Sequence, residues 1–106
     1  MALSHPADHA SLVLSLNRAL LGEVSCRLRC VAAATENSEI ELYCFFDGEI
    51  SEDDKESMSS VAGYVAGDFP EYIVSEQCVR LDAPERIPDQ RPRHVVFLRK
   101  ERRGTA

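Results

Sequence analysis

The chain has 106 residues, of which 44% are hydrophobic and 28% are charged, and its formal net charge is −6 at pH 7. This length predicts a single domain, residues 1–106, with one apolar core and no room for a deep enclosed pocket. The acidic balance argues against nucleic acid as a partner, because contacts with phosphate need clustered Lys and Arg, and it favours association with a basic surface.

The N-terminal residues have neither the basic segment nor the long apolar run of a secretory signal. No stretch of the sequence approaches the roughly 20 apolar residues that a helix needs to span a bilayer. We therefore expect a cytoplasmic protein without a membrane partner.

Apolar residues recur at helical spacing between Ala7 and Gly22, and they predict a first helix over this range. Gly22 is a suitable C-terminal stop for this helix. The apolar stripe consists of Leu12, Val13, Leu16, Ala19, Leu20 and Leu21.

Two runs with period-two alternation follow, one from Arg27 to Ala34 and one from Glu39 to Phe46. Alternation with β-branched and aromatic residues is typical of strands. The link at residues 35–38 is short and polar, so the two strands should form an antiparallel hairpin.

A second helix is predicted from about Glu52 to Ala66. Ser51 is a good N-cap, and Asp54 three residues later completes a pattern that resembles a capping box. Gly67 should end the helix, and a proline at position 70 should prevent its continuation. We expect this helix to bury Met58, Val61, Ala62 and Val65.

The last third of the chain predicts a strand from about Tyr72 to Leu81, an irregular loop with three prolines over residues 82–92, and a strand from His94 to Arg99. The element order is then αββαββ. The simplest packing is an α+β fold with two helices on one face of a four-stranded, mostly antiparallel sheet. We expect an ordered core at about residues 8–100 and a frayed C-terminal tail.

Four cysteines are present, and no two of them are spaced as in a C-x-x-C motif. Their positions in or beside predicted strands favour reduced thiols that are buried as small hydrophobic side chains. They are Cys26, Cys30, Cys44 and Cys78. A zinc site would need closely spaced ligand pairs, which these residues do not form.

Other candidate chemistry is equally weak. His5 and His9 have a spacing that could place two metal ligands on one helix face, but a proline interrupts the segment between them. A calcium loop starting at Asp47 fails, because Glu52 stands where Gly is needed and Met58 where Glu is needed. The sequence has neither a G-x-S-x-G elbow nor a Gly-rich phosphate loop. We therefore expect no metal, no cofactor and no catalytic residue.

Carboxylates are concentrated between Glu36 and Glu56, where Lys55 is the single cation; we call this segment the acidic block. One interpretation is structural, because carboxylates complement the dipole at a helix N-terminus and also occupy the solvent face of a strand. The other is that the block attracts a basic partner, because its self-repulsion exceeds what a cap requires. The block contains Glu36, Glu39, Glu41, Asp47, Glu49, Glu52, Asp53, Asp54 and Glu56.

Four sequence phrases occur together: residues 19–25 (ALLGEVS), 45–51 (FFDGEIS), 68–70 (DFP) and 80–84 (RLDAP). With these phrases the chain, from about Leu16 to Glu101, resembles a family of small bacterial proteins. Some members look like immunity proteins of contact-dependent growth inhibition or related polymorphic toxin systems. The resemblance implies a protein without catalysis that binds the C-terminal toxin domain of a cognate effector in the cytoplasm.

Many toxins of such systems are nucleases with basic clefts, so the resemblance implies that an acidic surface covers the cleft. The candidate partner-binding residues are Asp47, Glu49, Glu52, Asp53, Asp54 and Glu56. We expect the free protein to be a monomer or weak dimer. Two alternatives remain: a homo-oligomeric structural or regulatory subunit whose interface is shaped by residues 83–92, and a small enzyme that uses scattered carboxylates.

Overall fold

The structure, a computed structural model, describes residues 8–101. The elements run α1 (His9–Ala19), β1 (Leu28–Glu36), β2 (Glu39–Phe46), α2 (Glu52–Asp68), β3 (Ile73–Arg80) and β4 (His94–Leu98). The predicted order αββαββ is therefore confirmed. His5 and residues 102–106 lie outside the described range, so the tail after about residue 100, for which fraying is predicted, is described only as far as Glu101.

The four strands form one sheet in the order β3-β2-β1-β4. The pairs β1–β2 and β1–β4 are antiparallel, which confirms the mostly antiparallel sheet. The pair β2–β3 is parallel, because α2 carries the chain back across the sheet before β3 begins. The sheet is thus mixed, and β3 and β4 are its edge strands.

Helix α1 begins at Asp8, whose carboxylate accepts a hydrogen bond from the backbone N of Ser11 at 2.8 Å. Leu12 and Leu16 are buried as predicted. Leu21 does not extend the apolar stripe, because the helix ends before it and its side chain is 77% exposed. Gly22 lies in the following turn with φ of +80°, a conformation that favours glycine.

Helix α2 has the predicted capping box: the Ser51 hydroxyl accepts from the Asp54 backbone N at 3.0 Å, and the Asp54 carboxylate accepts from the Ser51 backbone N at 3.2 Å. The prediction that Gly67 ends the helix is wrong. Gly67 lies inside the helix, which runs to Asp68 and ends just before Pro70. A glycine weakens a helix interior without breaking it, whereas proline cannot continue it.

One apolar core lies between the two helices and one face of the sheet. Alternate residues of β2 point into it, as do residues of β1 on either side of a register shift between Leu28 and Cys30. The predicted helical residues Met58, Val61 and Val65 are all buried there. The strand residues of this core include Leu28, Val31, Ala33, Ile40, Leu42, Cys44 and Phe46.

The opposite face of the sheet is also covered in part, by the chain that connects β3 to β4. Phe45, which alternates with the core residues of β2, is buried on this side. The connecting loop reaches back over the sheet, where the guanidinium carbon of Arg93 lies 3.7 Å from the ring centroid of Tyr43. Gln90 in the same loop is buried and donates to the Pro88 carbonyl at 2.6 Å.

The cysteines follow the prediction only in part. Cys30 and Cys44 are buried, and Cys78 is half-buried beside Cys44, its register partner on the neighbouring strand. Cys26 is exposed, because it lies in the turn before β1 and outside the sheet. The prediction of burial is therefore wrong for Cys26.

Candidate partner-binding surface

The segment from Asp47 to Glu56 leaves the sheet at the end of β2 and turns into α2. Gly48 has φ of +89°, so the chain bends at a position that favours glycine. Its backbone N donates to the Asp82 carboxylate at 2.7 Å. This bond fixes the turn to the beginning of the connection between β3 and β4, because Asp82 lies two residues after the end of β3.

Asp47 forms bonds within the molecule. Its carboxylate accepts from Arg99 Nη2 at 3.0 Å and from the Ala83 backbone N at 3.1 Å. The hydrogen bond from Arg99, together with that from Ala83, lowers the pKa of Asp47 below its ordinary value. Asp47 therefore joins the end of β2 to the two chain segments that flank β4.

Asp54 is buried, with only 3% of its surface exposed. Its carboxylate accepts from Arg27 Nη2 at 2.9 Å and Nε at 3.1 Å, in addition to the capping bond from Ser51. Burial opposes ionisation, but the hydrogen bonds from Ser51 and Arg27 outweigh it and lower the pKa of Asp54. Its charge is thus compensated inside the fold.

The other four carboxylates of this segment point outward. Glu49, Glu52, Asp53 and Glu56 are all exposed. Glu52 pairs with Lys55, at 3.5 Å between Oε2 and Nζ. Within the described chain the remaining three form no ion pair. We call Glu49, Glu52, Asp53 and Glu56 the acidic surface.

The structure separates this surface from the rest of the acidic block. Glu36 and Glu39 lie opposite each other at the hairpin turn, and Glu41 follows on β2. The turn and the acidic surface are at opposite ends of β2, whose eight residues span roughly 25 Å. The continuous block in the sequence therefore forms two separate acidic regions in the fold.

Several arginines that organise this end of the molecule are missing from the sequence-based candidates. Arg29 is buried in β1 and donates to both carboxylate oxygens of Glu101, at 2.8 and 2.9 Å. It also donates to the Leu81 carbonyl at 2.7 Å. The bond with Arg29 lowers the pKa of Glu101, and Arg99 adds to this effect. The sequence signal that could have identified Arg29 is its position as a cation between Leu28 and Cys30 in a predicted strand.

The described residues include no cluster of three or more His, Cys, Asp or Glu that could hold a metal ion. The rings of His9 and His94 lie in contact, with centroids 4.2 Å apart. Among residues 8–101, no helix combines the length and the apolar character needed to cross a membrane.

Comparison with known proteins gives one family. The sequence model of the family described as MafI2 immunity protein matches residues 9–101, which is nearly the whole described chain. The match includes the acidic surface, Arg29 and Glu101. The comparison with curated proteins finds no match.

Proposed function

The chain belongs to the MafI2 immunity protein family, which implies a toxin-neutralising immunity function, and on this premise we propose that it acts by binding a nuclease toxin domain through the acidic surface. The proposal is supported by the exposure of three carboxylates, Glu49, Asp53 and Glu56, which form no ion pair within the described chain. The neighbouring carboxylates of Asp47 and Asp54 are instead held by arginines of the same chain. The binding is stoichiometric and involves no catalysis.

The chemistry of a nuclease explains why carboxylates would serve this purpose. A cleft that binds phosphate is lined with cations, and exposed carboxylates offer it a competing set of negative charges. Unlike the carboxylates that pair internally, those of the acidic surface are available for such contacts. Their field also steers the two proteins together, so the association rate should fall as salt is added.

Asp47 and Asp54 take a different part in the proposal. Both carboxylates are held by arginines of the same chain, and Asp54 is inaccessible to a partner. We assign Asp47 the role of fixing the turn after β2, and Asp54 the role of fixing the first turn of α2. Together these contacts hold the acidic surface in position. In this proposal Glu49, Glu52, Asp53 and Glu56 make the contacts.

Binding is tested with the C-terminal toxin domain encoded beside the gene for this chain. We expect the two proteins to purify together and the complex to lack the nuclease activity of the free domain. A wild-type chain that neither binds this domain nor protects cells from it would contradict the proposal.

The surface is tested with Glu49→Lys, Asp53→Lys and Glu56→Lys combined. The association rate should fall at least about tenfold at low salt, and its dependence on salt should flatten. The matched control combines Glu36→Lys, Glu39→Lys and Glu71→Lys, three exposed residues near the opposite end of the sheet. An equal loss in the control would show that only net charge matters, and a loss in the control alone would place the interface at the hairpin end.

A further inference from the structure

A groove lies on the face of the sheet away from the helices, between β4 and the first part of the loop at residues 82–93. Its volume is about 1310 Å³, which exceeds the roughly 300–1,000 Å³ that is usual for small-molecule pockets. The groove is open to solvent, and its volume is large enough to receive a length of polypeptide.

The lining of the groove is largely apolar. Pro84, Ile87 and Pro88 form the loop side, and Val95 and Leu98 form the strand side. Val95 is 47% exposed and Leu98 is 64% exposed, so packing within the described chain buries neither side chain. Exposed apolar side chains that line a concave surface are typical of a binding site.

Among the described residues, the strand that forms one wall has a backbone edge that pairs with no other strand. Strand β4 pairs with β1 on one side, and it is the last strand of the sheet on the other. An edge strand presents unpaired N–H and C=O groups to which an extended segment can add. The groove can therefore offer both backbone hydrogen bonds and apolar contacts to a segment that lies along β4.

The charges around the groove are of two kinds. Arg29 and Arg99 are neutralised by Glu101, and Arg99 also by Asp47. Arg86 and Lys100 are exposed, and in the part of the chain that the structure describes neither forms an ion pair. Glu85 also lines the groove, where it is exposed and forms no ion pair within residues 8–101. The two available cations therefore stand against one available carboxylate, in a protein whose net charge is −6, and this local excess of positive charge favours an occupant with carboxylates.

The groove and the acidic surface lie at the same end of the sheet. Gly48 and Asp47 are bonded to Asp82 and Ala83, which lead into the loop wall of the groove. Asp47 also accepts from Arg99, which directly follows β4. A single partner that covers the acidic surface is thus placed to reach the groove as well.

We propose that the groove receives an extended segment of the toxin domain, with apolar side chains facing Val95 and Leu98 and at least one carboxylate facing Arg86 or Lys100. This inference rests on the proposed function and adds to it the chemistry of the partner. The toxin domain would then present a basic area to the acidic surface and an acidic, apolar strand to the groove. The two contacts have opposite charge, so they fix the orientation of the partner.

The test measures the affinity of the purified toxin domain, and of overlapping peptides that cover its sequence, for variants of the groove. Arg86→Glu combined with Lys100→Glu should weaken binding at least about tenfold, and Leu98→Asp should weaken it about tenfold by placing a like charge beside the carboxylate of the segment. Arg18→Glu is the matched control, since Arg18 is an exposed cation on α1 without an ion pair in the described chain, and it should change the affinity less than about twofold. All four positions are exposed, so the groove variants should keep the circular dichroism and thermal midpoint of the wild-type chain. Arg18 lies in the last turn of α1, so Arg18→Glu should lower the midpoint slightly by placing a carboxylate at the negative end of the helix dipole.

The outcomes separate this inference from the proposed function. Wild-type affinity in the groove variants, together with a loss in the Glu49, Asp53 and Glu56 variant, would overturn the groove and leave the acidic surface in place. A loss in the groove variants alone would support the groove and contradict the acidic surface. If Leu98→Asp dissociates a dimer of the free chain without changing toxin affinity, the occupant is a second copy and the inference is wrong.

Discussion

The face of the sheet that α1 and α2 cover is closed by apolar side chains, whereas the opposite face is covered in part by the loop between β3 and β4. Charged groups anchor the segment from residue 81 to residue 101, which contains this loop and β4. On the helix side, residues such as Leu42 and Val61 are completely buried. On the other side, Arg29 holds Glu101 and the Leu81 carbonyl, and Asp47 holds Arg99. Apolar burial depends little on pH or salt, but ion pairs and hydrogen-bonded charges depend on both.

This difference has a functional consequence. Both surfaces that we assign to the partner adjoin the ionic side, because the turn after β2 and the groove wall share the bonds of Asp47. The position of these surfaces is then set by a few charged contacts, while the helix-covered core sets the stability of the whole domain. Regions held by few contacts open locally more easily than the core.

The largest loss of stability on the ionic side is expected when Arg29 is replaced. Arg29→Met should lower the free energy of unfolding by about 2–3 kcal/mol, because Glu101 and the Leu81 carbonyl lose their partner. The loss should be local. Hydrogen exchange should accelerate at residues 81–101, and the middle of α2 should stay protected to a much greater extent.

Arg80→Met is the matched control for this variant. Arg80 pairs with Asp82 on the surface, where both side chains are about half-exposed, so its removal should cost less than about 1 kcal/mol. Equal losses for the two variants, or exchange that accelerates uniformly in α2 and in residues 81–101, would contradict the division into an apolar and an ionic face.

The sequence contained enough to predict the fold, because the signals for its elements are local. Ser51 and Asp54 form the capping box that their spacing predicts, and period-two alternation locates β1 and β2. The prediction failed at Leu21, because the helical spacing of apolar residues continues past the end of α1. It failed at Gly67, because a glycine by itself does not end a helix. The parallel pairing of β3 with β2 depends on tertiary packing and has no local signal.

The candidate site was less predictable for the same reason. Asp54 and Asp53 are neighbours with the same charge, but only Asp54 meets Arg27, which lies 27 positions earlier in the chain. The pair Arg29–Glu101 joins residues 72 positions apart. Sequence could locate the carboxylates, but only the fold distinguishes those that are engaged internally from those that face solvent.

Acid should weaken the ion pairs on this side of the sheet to a smaller extent than Arg29→Met does. Arg29 holds the pKa of Glu101 below its ordinary value, and Arg99 does the same for the pKa of Asp47. A carboxyl group with a lowered folded-state pKa stabilises the fold above its unfolded pKa, which is about 4, and this stabilisation is lost as pH falls through the folded value. Stability should therefore change little between about pH 7 and 5 and decrease below about pH 4.

Hydrogen exchange by residue, measured across this pH range and corrected for intrinsic rates, checks the location of the loss. Protection should decrease first in residues 81–101, and the decrease should be smaller in Arg29→Met, where Glu101 has already lost its main partner. The first turn of α2 should follow, since the pKa of Asp54 is also lowered, by the hydrogen bonds from Ser51 and Arg27 that outweigh its burial. A loss that begins in the middle of α1 or α2 would contradict this order.

The smallest change in stability is expected for a variant that separates the effect of the carboxylates on the helix from their effect on a partner. Lys55 is the single cation in the sequence of the acidic block, and it forms an exposed ion pair with Glu52, three residues before it in α2. Lys55→Gln should lower the free energy of unfolding by less than about 0.5 kcal/mol. It should also raise the association rate with the toxin domain about two- to threefold at low salt, because the surface becomes more negative.

Arg18→Gln removes one positive charge from α1 and is the control for net charge. If it accelerates association as much as Lys55→Gln does, the association rate depends on the overall charge of the chain, and the acidic surface makes no specific contribution to it. If only Lys55→Gln accelerates association, and the difference disappears at about 0.5 M salt, the effect comes from the local field. The helix has then kept its stability while association has become faster, so the charge of Lys55 acts on the partner and not on the fold.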